Sequence, residues 1–305
     1  MKILITGAGG MLGSDIAAAL SPDFDAAGIT HHEAPHLSIA SAVADLANPK
    51  EAGKAIQSFK PSLIIHTAAM TDVDGCERDR QGALKNNFEA TKHVVNAALA
   101  CGAGLVFYTT DYIFDGHKKG EYTETDVPHP LNTYGESKYL AETYIRSKMR
   151  RFLIFRVGWL YGLQGRSFPK TILEKTENVR VLDVVNDQIG RPTHTWDLAS
   201  VLRELLSREE GLEKYYGETF NLANYGVTSW YDFARFIVQT AGREDVNVRP
   251  VSTVAGMRPA LRPLNSVLSL DKAERILRIK LRSWQDASSE FIREFLAQKK
   301  VGSGS

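Results

Sequence analysis

The sequence predicts an α/β fold: a doubly wound, parallel sheet with helices on both faces, carrying a smaller mixed α/β unit. Three observations predict it. An apolar run at 2–6 turns at once into a glycine cluster and then an alanine-rich helical stretch to Leu20. Further short apolar runs at 26–30, 62–66, 105–108 and 152–157 are separated by stretches long enough for crossover helices. The 305 residues are 43% hydrophobic, enough material for one large or two smaller domains.

Charge and cysteine content narrow the class. A formal net charge of +1 gives no electrostatic reason to expect nucleic acid or a membrane surface as partner. No apolar run approaches the length that spans a bilayer, and residues 1–6 are too short for a signal peptide, so a cytoplasmic protein is expected. Cys76 and Cys101 have neither metal-site nor disulfide-framework spacing, and no metal ligands are assigned. Residues 300–305 read as a linker-like tail outside the fold.

The first strand, 2–6, leads into Gly7-Ala8-Gly9-Gly10-Met11-Leu12-Gly13. Strand, glycine turn and helix in that order form the context of a dinucleotide fingerprint, the basis of a Rossmann-type sheet. Gly7 permits the tight turn, Gly10 lets the backbone approach a pyrophosphate, and Gly13 lets the helix pack closely on the sheet. Met11 and Leu12 lie on the same turn, whose helix N-terminus offers N–H groups to phosphate.

The second strand, 26–30, ends in Thr30-His31-His32 with no carboxylate to bind the ribose hydroxyls. NADPH is therefore favoured over NADH, modestly, with NADH still possible. His31 or His32 can meet a 2′-phosphate, or the pair can be an exposed turn; Glu33 is close and no arginine is present. Ala44-Asp45-Leu46 resembles the acidic-apolar step that meets the adenine in short-chain reductases, or Asp45 caps a helix at 48–58. The strand at 62–66 empties into Thr67, Ala68 and Ala69, small residues against which a cofactor can rest. Asn87 follows on the next helix.

The strand at 105–108 carries Thr110 at its C-terminal edge, where ligands of open α/β sheets bind. Tyr134 and Lys138 stand four residues apart and share a helix face once Glu136 or Ser137 opens the helix. A lysine beside a tyrosine lowers the phenol pKa and makes it a proton donor near neutrality. Spacing alone equally describes an exposed helix pair. The nicotinamide context separates the two.

The run Thr110-Asp111-Tyr112-Ile113-Phe114-Asp115-Gly116, with Glu124-Thr125-Asp126, Pro130-Leu131-Asn132 and Tyr134-Gly135-Glu136-Ser137-Lys138, resembles the dTDP-4-dehydrorhamnose reductase family of extended short-chain reductases. The likeness continues through Phe155-Arg156-Val157-Gly158-Trp159, Asn186-Asp187-Gln188-Ile189-Gly190-Arg191-Pro192-Thr193, Thr228-Ser229-Trp230 and Arg262-Pro263-Leu264-Asn265-Ser266, covering residues 1 to about 295. The resemblance implies NADPH-dependent reduction at C4 of a nucleotide-activated 6-deoxy-4-keto-sugar. It implies Thr110, Tyr134 and Lys138 as the catalytic trio, with Thr71, Asp111, Tyr112 and Trp159 at the sugar. Arg258 and Arg262, between prolines, can meet a nucleotide diphosphate or lie solvated in a surface loop.

The remaining chain reads as helix at 168–176, strand at 181–185, Asn186-Asp187-Gln188 as if covering the site, a helix beginning near Asp197, a late strand at 218–222, and a helix at 230–240 capped by Thr228 or Ser229. The expected division is 1–161 with about 186–224 as the NADP-binding domain, and about 162–185 with 225–299 as the substrate-binding domain. A monomer or homodimer is expected, and Mg²⁺ is left open. Two other readings compete. A nucleotide-sugar epimerase or dehydratase is one; Tyr112 stands where dehydratases resemble one another in carrying an acidic base. A non-catalytic regulatory subunit, like the methionine adenosyltransferase β subunit, is the other.

Overall fold

The computed structural model describes residues 1–254 and 256–302, the last three by backbone alone. Seven parallel strands form the main sheet: β1 (Lys2–Thr6), β2 (Asp25–Thr30), β3 (Ala40–Val43), β4 (Leu63–His66), β5 (Gly104–Thr110), β6 (Phe152–Val157) and, last in the sheet, a strand at Glu218–Asn221. The spatial order is Glu218–Asn221, β6, β5, β4, β1, β2, β3, so the chain winds outward from β1 in one direction and from β4 in the other. The switch between β1 and β4 opens a crevice beyond the strands' C-terminal ends, where such sheets bind ligands.

Helices α1 (Met11–Leu20), α2 (Pro49–Phe59), α3 (Val73–Arg78), α4 (Arg80–Ala83), α5 (Ala90–Cys101) and α6 (Thr133–Lys148) make the crossovers. One apolar layer joins α1 to one sheet face through Ile3, Ile5, Ile16, Leu20, Val106 and Phe155. The other joins α2, α5 and α6 through Leu4, Ile56, Ile64, Val94, Phe107 and Ile145. Strands buried on both sides read as unbroken apolar runs, which made β1, β4, β5 and β6 visible in the sequence. All four residues of β3 are exposed, and no apolar run announces it. No helix joins β2 to β3. Residues 31–39 make that crossover as an irregular loop.

The later elements are β7 (Leu160–Tyr161), α7 (Phe168–Lys175), β8 (Val181–Val185), β9 (Ile189–Gly190), β10 (Thr193–His194), α8 (Thr195–Ser207), β11 (the Glu218–Asn221 strand), β12 (Thr228–Ser229), α9 (Trp230–Thr240), β13 (Asn247–Val251) and α10 (Trp284–Gly302). Strand pairs β7–β10, β8–β13 and β9–β12 form three small sheets. A separate aromatic cluster of Trp159, Tyr161, Phe233, Trp284 and Phe291 packs among them. Helix α8 begins at Thr195, two residues before Asp197, and packs on α1. Residues 300–302 continue α10, so the linker reading is left to 303–305, which lie outside the described residues.

The caps correct two expectations. Asn48 accepts the Lys50 N–H and caps α2, while Asp45 turns back to the Ala47 N–H. Helix α6 opens at Thr133, capped by Asn132 through the Gly135 N–H at 2.8 Å, so Tyr134 lies inside its first turn. Ser229 caps α9 through the Asp232 N–H. No helix among the described residues is long and apolar enough to cross a membrane.

Candidate active site

A cleft of about 950 Å³ runs across the switch between β1 and β4. It is lined by Gly7, Gly10, Met11, Leu12, Gly13, Thr30, His31, Asp45, Leu46, Thr67, Ala68 and Ala69 on one side. Thr71, Thr110, Asp111, Tyr112, Tyr134, Lys138 and Trp159 line the other.

The glycine turn leaves no room for side chains. Gly7 has φ +70°, and a Cβ there would fall 2.6 Å from the Ala68 nitrogen. A Cβ on Gly13 would fall 2.2 Å from the Gly7 carbonyl oxygen. Gly10 opens α1 without a side-chain cap, leaving first-turn N–H groups available to an anion. At the end of β2 the Thr30 hydroxyl is buried without a hydrogen-bond partner. Such a group is costly unless a ligand completes it. Together these features fit a dinucleotide: an anion site at the turn, backbone open to close approach, and an unused polar atom at the ribose position.

The reacting end is dry. Lys138 is 3% exposed and donates to the Tyr108 carbonyl at 2.8 Å, its ammonium 4.2 Å from the Phe107 ring centre. Burial lowers its pKa to about 7, and Glu142 opposes the fall. Tyr134 keeps part of its ring open to the cleft. Burial raises its pKa above that of a free phenol, the Asp111 carboxylate adds to the rise, and a hydrogen bond with Thr110 opposes it. The expectation that Lys138 depresses the phenol is thus corrected: burial sets the direction of the shift, and the lysine ammonium is held by the Tyr108 carbonyl. Burial likewise raises Asp111 to about 6, against hydrogen bonds from Ser266 and Thr110. The Thr110 hydroxyl donates to Asp111 Oδ1 at 3.0 Å and accepts the Tyr112 N–H at 3.2 Å.

Behind this end lies a polar relay. Asn87, only 1% exposed, accepts the Met70 N–H at 2.7 Å and donates to Ser137 Oγ at 2.9 Å. It sits in a π-helical turn, Leu84–Glu89, that leads into α5. His66 bridges Thr6 and Thr91, at 2.6 and 2.9 Å, and burial drives its pKa down to about 3. It is therefore a neutral strut.

Trp159 has φ +50°, a conformation uncommon for a bulky residue. Three contacts hold it: its indole N–H donates to Ser266 Oγ at 3.1 Å, its ring stacks on Trp230 at 3.5 Å, and Gly190 leaves space where a Cβ would fall 2.4 Å from the ring. Tyr112 meets Tyr134 edge to face at 6.3 Å.

Arg262 lies outside the cleft lining, bonded to Asp74 at 2.7 Å and to the Ala260 carbonyl, and it acts on the Tyr112 phenol. Arg258 faces the same Asp74 at 3.6 Å. The pair expected at a diphosphate thus shares one carboxylate, which directly hydrogen-bonds Arg262. Asn186, Asp187 and Gln188 do not line the cleft; Asp187 and Gln188 bind Thr253 instead. Sequence reasoning missed Arg166 and Trp230, both on the cleft wall. Arg166 follows Gly165, whose φ is +69° and whose Cβ position lies 3.9 Å from the Met11 side chain, so the arginine reaches the cleft near the glycine turn. The Gly165-Arg166 pair before a helix cap was the available signal. No group of three His, Cys, Asp or Glu residues among the described residues could hold a metal ion.

Comparison with known proteins adds the family. The model of the RmlD substrate binding domain matches residues 1–297. A dTDP-4-dehydrorhamnose reductase of Aggregatibacter actinomycetemcomitans is 35% identical over 296 residues, covering 94% of this chain and 96% of the relative. A crystal structure of a dTDP-4-dehydrorhamnose reductase from Clostridium acetobutylicum superposes with TM-score 0.85 at 35% identity, covering 97% and 100% of the two chains. Another from Bacillus anthracis, in complex with NADP, gives 0.86 at 31% identity, covering 96% and 99%. Matched along nearly its whole length in sequence and in fold, the chain belongs to the dTDP-4-dehydrorhamnose reductase family.

Proposed function

We propose that the protein reduces the C4 ketone of dTDP-4-dehydro-β-L-rhamnose to the alcohol of dTDP-L-rhamnose with NADPH. The observation that carries this reading is the convergence of Thr110, Tyr134 and Lys138 on one mouth of the cleft whose other side is the glycine turn. NADPH, when bound, supplies the hydride to C4. Tyr134, kept protonated by burial, gives its proton to the oxygen as negative charge develops there. The Thr110 hydroxyl turns its proton from Asp111 to the same oxygen. Lys138, poised near pH 7, steadies the phenolate that remains. The Trp159–Trp230 stack and Tyr112 wall the sugar.

The same proposal divides the chain into a cofactor domain of 1–161 with about 186–224 and a substrate domain of about 162–185 with 225–299. The separate aromatic cluster supports it. It includes a cytoplasmic protein acting as monomer or homodimer, for which sedimentation at micromolar concentration is the check. The test of function is NADPH oxidation with dTDP-, UDP- and GDP-linked 4-keto-sugars. The dTDP-linked sugar is expected to react fastest. Failure to oxidise NADPH with any of them, together with tight binding to a methionine adenosyltransferase, would replace catalysis by a regulatory role.

A further inference from the structure

We propose that His31 and His32, in protonated form, read the 2′-phosphate of NADPH, so that the preference for NADPH over NADH weakens as pH rises. The inference rests on the cofactor proposed above and deepens it. The basic side chains lining the cleft are Lys138, Arg166, His31, His32 and His36. Lys138 is buried at the Tyr134 end, bound to the Tyr108 carbonyl, and Arg166 follows Gly165, whose backbone packs against the Met11 side chain. Only the histidines stand at the end of β2, where a dinucleotide presents its adenosine 2′ position.

The pair is built to share a proton. His31 Nδ1 and His32 Nε2 lie 3.1 Å apart with the rings at 72°, so one nitrogen donates and the other accepts. Both side chains are exposed. The Thr30 hydroxyl beside them is buried and unpartnered, a ready donor to a 2′ oxygen. From the β1–α1 turn nothing titratable lines this end. The β2–β3 loop adds Glu33 and His36, and the segment after β3 adds Asp45, whose backbone N–H binds the Glu51 carboxylate. With Glu33, Asp45 and Glu51 nearby and no permanent cation, a phosphate is welcome only when the imidazoles are charged. A dianionic phosphate set against an imidazole pair favours the pair's protonated form.

The readout is binding, without sugar. Calorimetric titration of the full chain with NADP⁺ and with NAD⁺ at pH 5.5, 7 and 8.5, in buffers of differing ionisation enthalpy, should show proton uptake with NADP⁺ alone. The NADP⁺ to NAD⁺ affinity ratio should fall about tenfold or more over that range, the scale of one charge contact at partial exposure. The double variant His31→Gln, His32→Gln keeps hydrogen-bonding side chains and loses the charge. It should lower NADP⁺ affinity at pH 5.5 far more than NAD⁺ affinity and flatten the slope. Binding of both dinucleotides with a constant ratio, or a slope that survives the double variant, overturns the histidine assignment. Binding of neither overturns the cofactor proposal itself.

Discussion

The two ends of the cleft handle charge in opposite ways. At the reacting end Thr110 is 6%, Asp111 2% and Lys138 3% exposed, and burial is the first cause of every pKa shift there. At the β2 end His31, His32, Glu33 and His36 all stand in solvent on a loop that takes the place of a helix. Where water is excluded, protonation states are set by the fold and respond little to salt. Where water enters, recognition follows the medium. Chemistry needs the first condition, and discrimination between two cofactors is satisfied by the second.

The contrast can be broken most severely at the dry end. Tyr134→Phe removes the proton donor without opening the site, and kcat should fall roughly 10²–10⁴-fold with cofactor affinity little changed. Steady-state NADPH oxidation and a binding titration on the same variant measure both. A Tyr134→Phe enzyme with most of its activity would put the donor elsewhere.

Lys138 sharpens the comparison through pH. Its charged form supports the departing proton of Tyr134, so kcat/KM should hold below about 7 and decline above it. Stability should move the other way. The folded pKa lies below the ordinary lysine value, so the unfolded chain binds more protons between the two, and the cost of burying the charge fades as pH rises through that window. Lys138→Met should therefore raise the urea midpoint more at pH 6 than at pH 10, measured by circular dichroism. An equal gain at both would mean that Lys138 keeps its proton in the fold as it does in the unfolded chain, and that burial does not depress its pKa.

At the tip of β2, where Thr30 is buried, Thr30→Asp introduces a carboxylate and should shift the kcat/KM ratio towards NADH by about tenfold, the Coulomb scale of a like-charge contact at intermediate dielectric. An unchanged ratio would place the ribose away from β2. The smallest change is expected at Tyr112→Phe. One neutral hydrogen bond is worth about 0.5–1.5 kcal/mol, so KM for the sugar should rise a few-fold, and a change beyond a hundredfold would give Tyr112 a part in proton transfer.

The wet end was partly legible in the sequence and the dry end only in outline. The glycine turn, Thr30 and the two histidines are contiguous segments at strand ends, and parallel topology brings strand ends together. Thr110, Tyr134 and Lys138 were foreseeable as a group for the same reason. Their ionisation was not, because burial by Phe107 and the carbonyl of Tyr108 is a property of the packed sheet. Arg262 was read as a free cation, since its partner Asp74 is 188 residues away. Trp230 is not foreseeable as cleft wall because a tryptophan at a helix start usually packs into a core, and it takes the left-handed turn at Trp159 to stack a second indole on it. Strand β3 had no apolar signature to find.

The stacked indoles carry an optical consequence. The chain has four tryptophans, and two of them, Trp159 and Trp230, form a parallel pair with planes 1° apart on the wall of the cleft. Indole emission overlaps the absorption of a reduced nicotinamide, and a dihydronicotinamide seated at Lys138 would drain the pair's fluorescence by energy transfer.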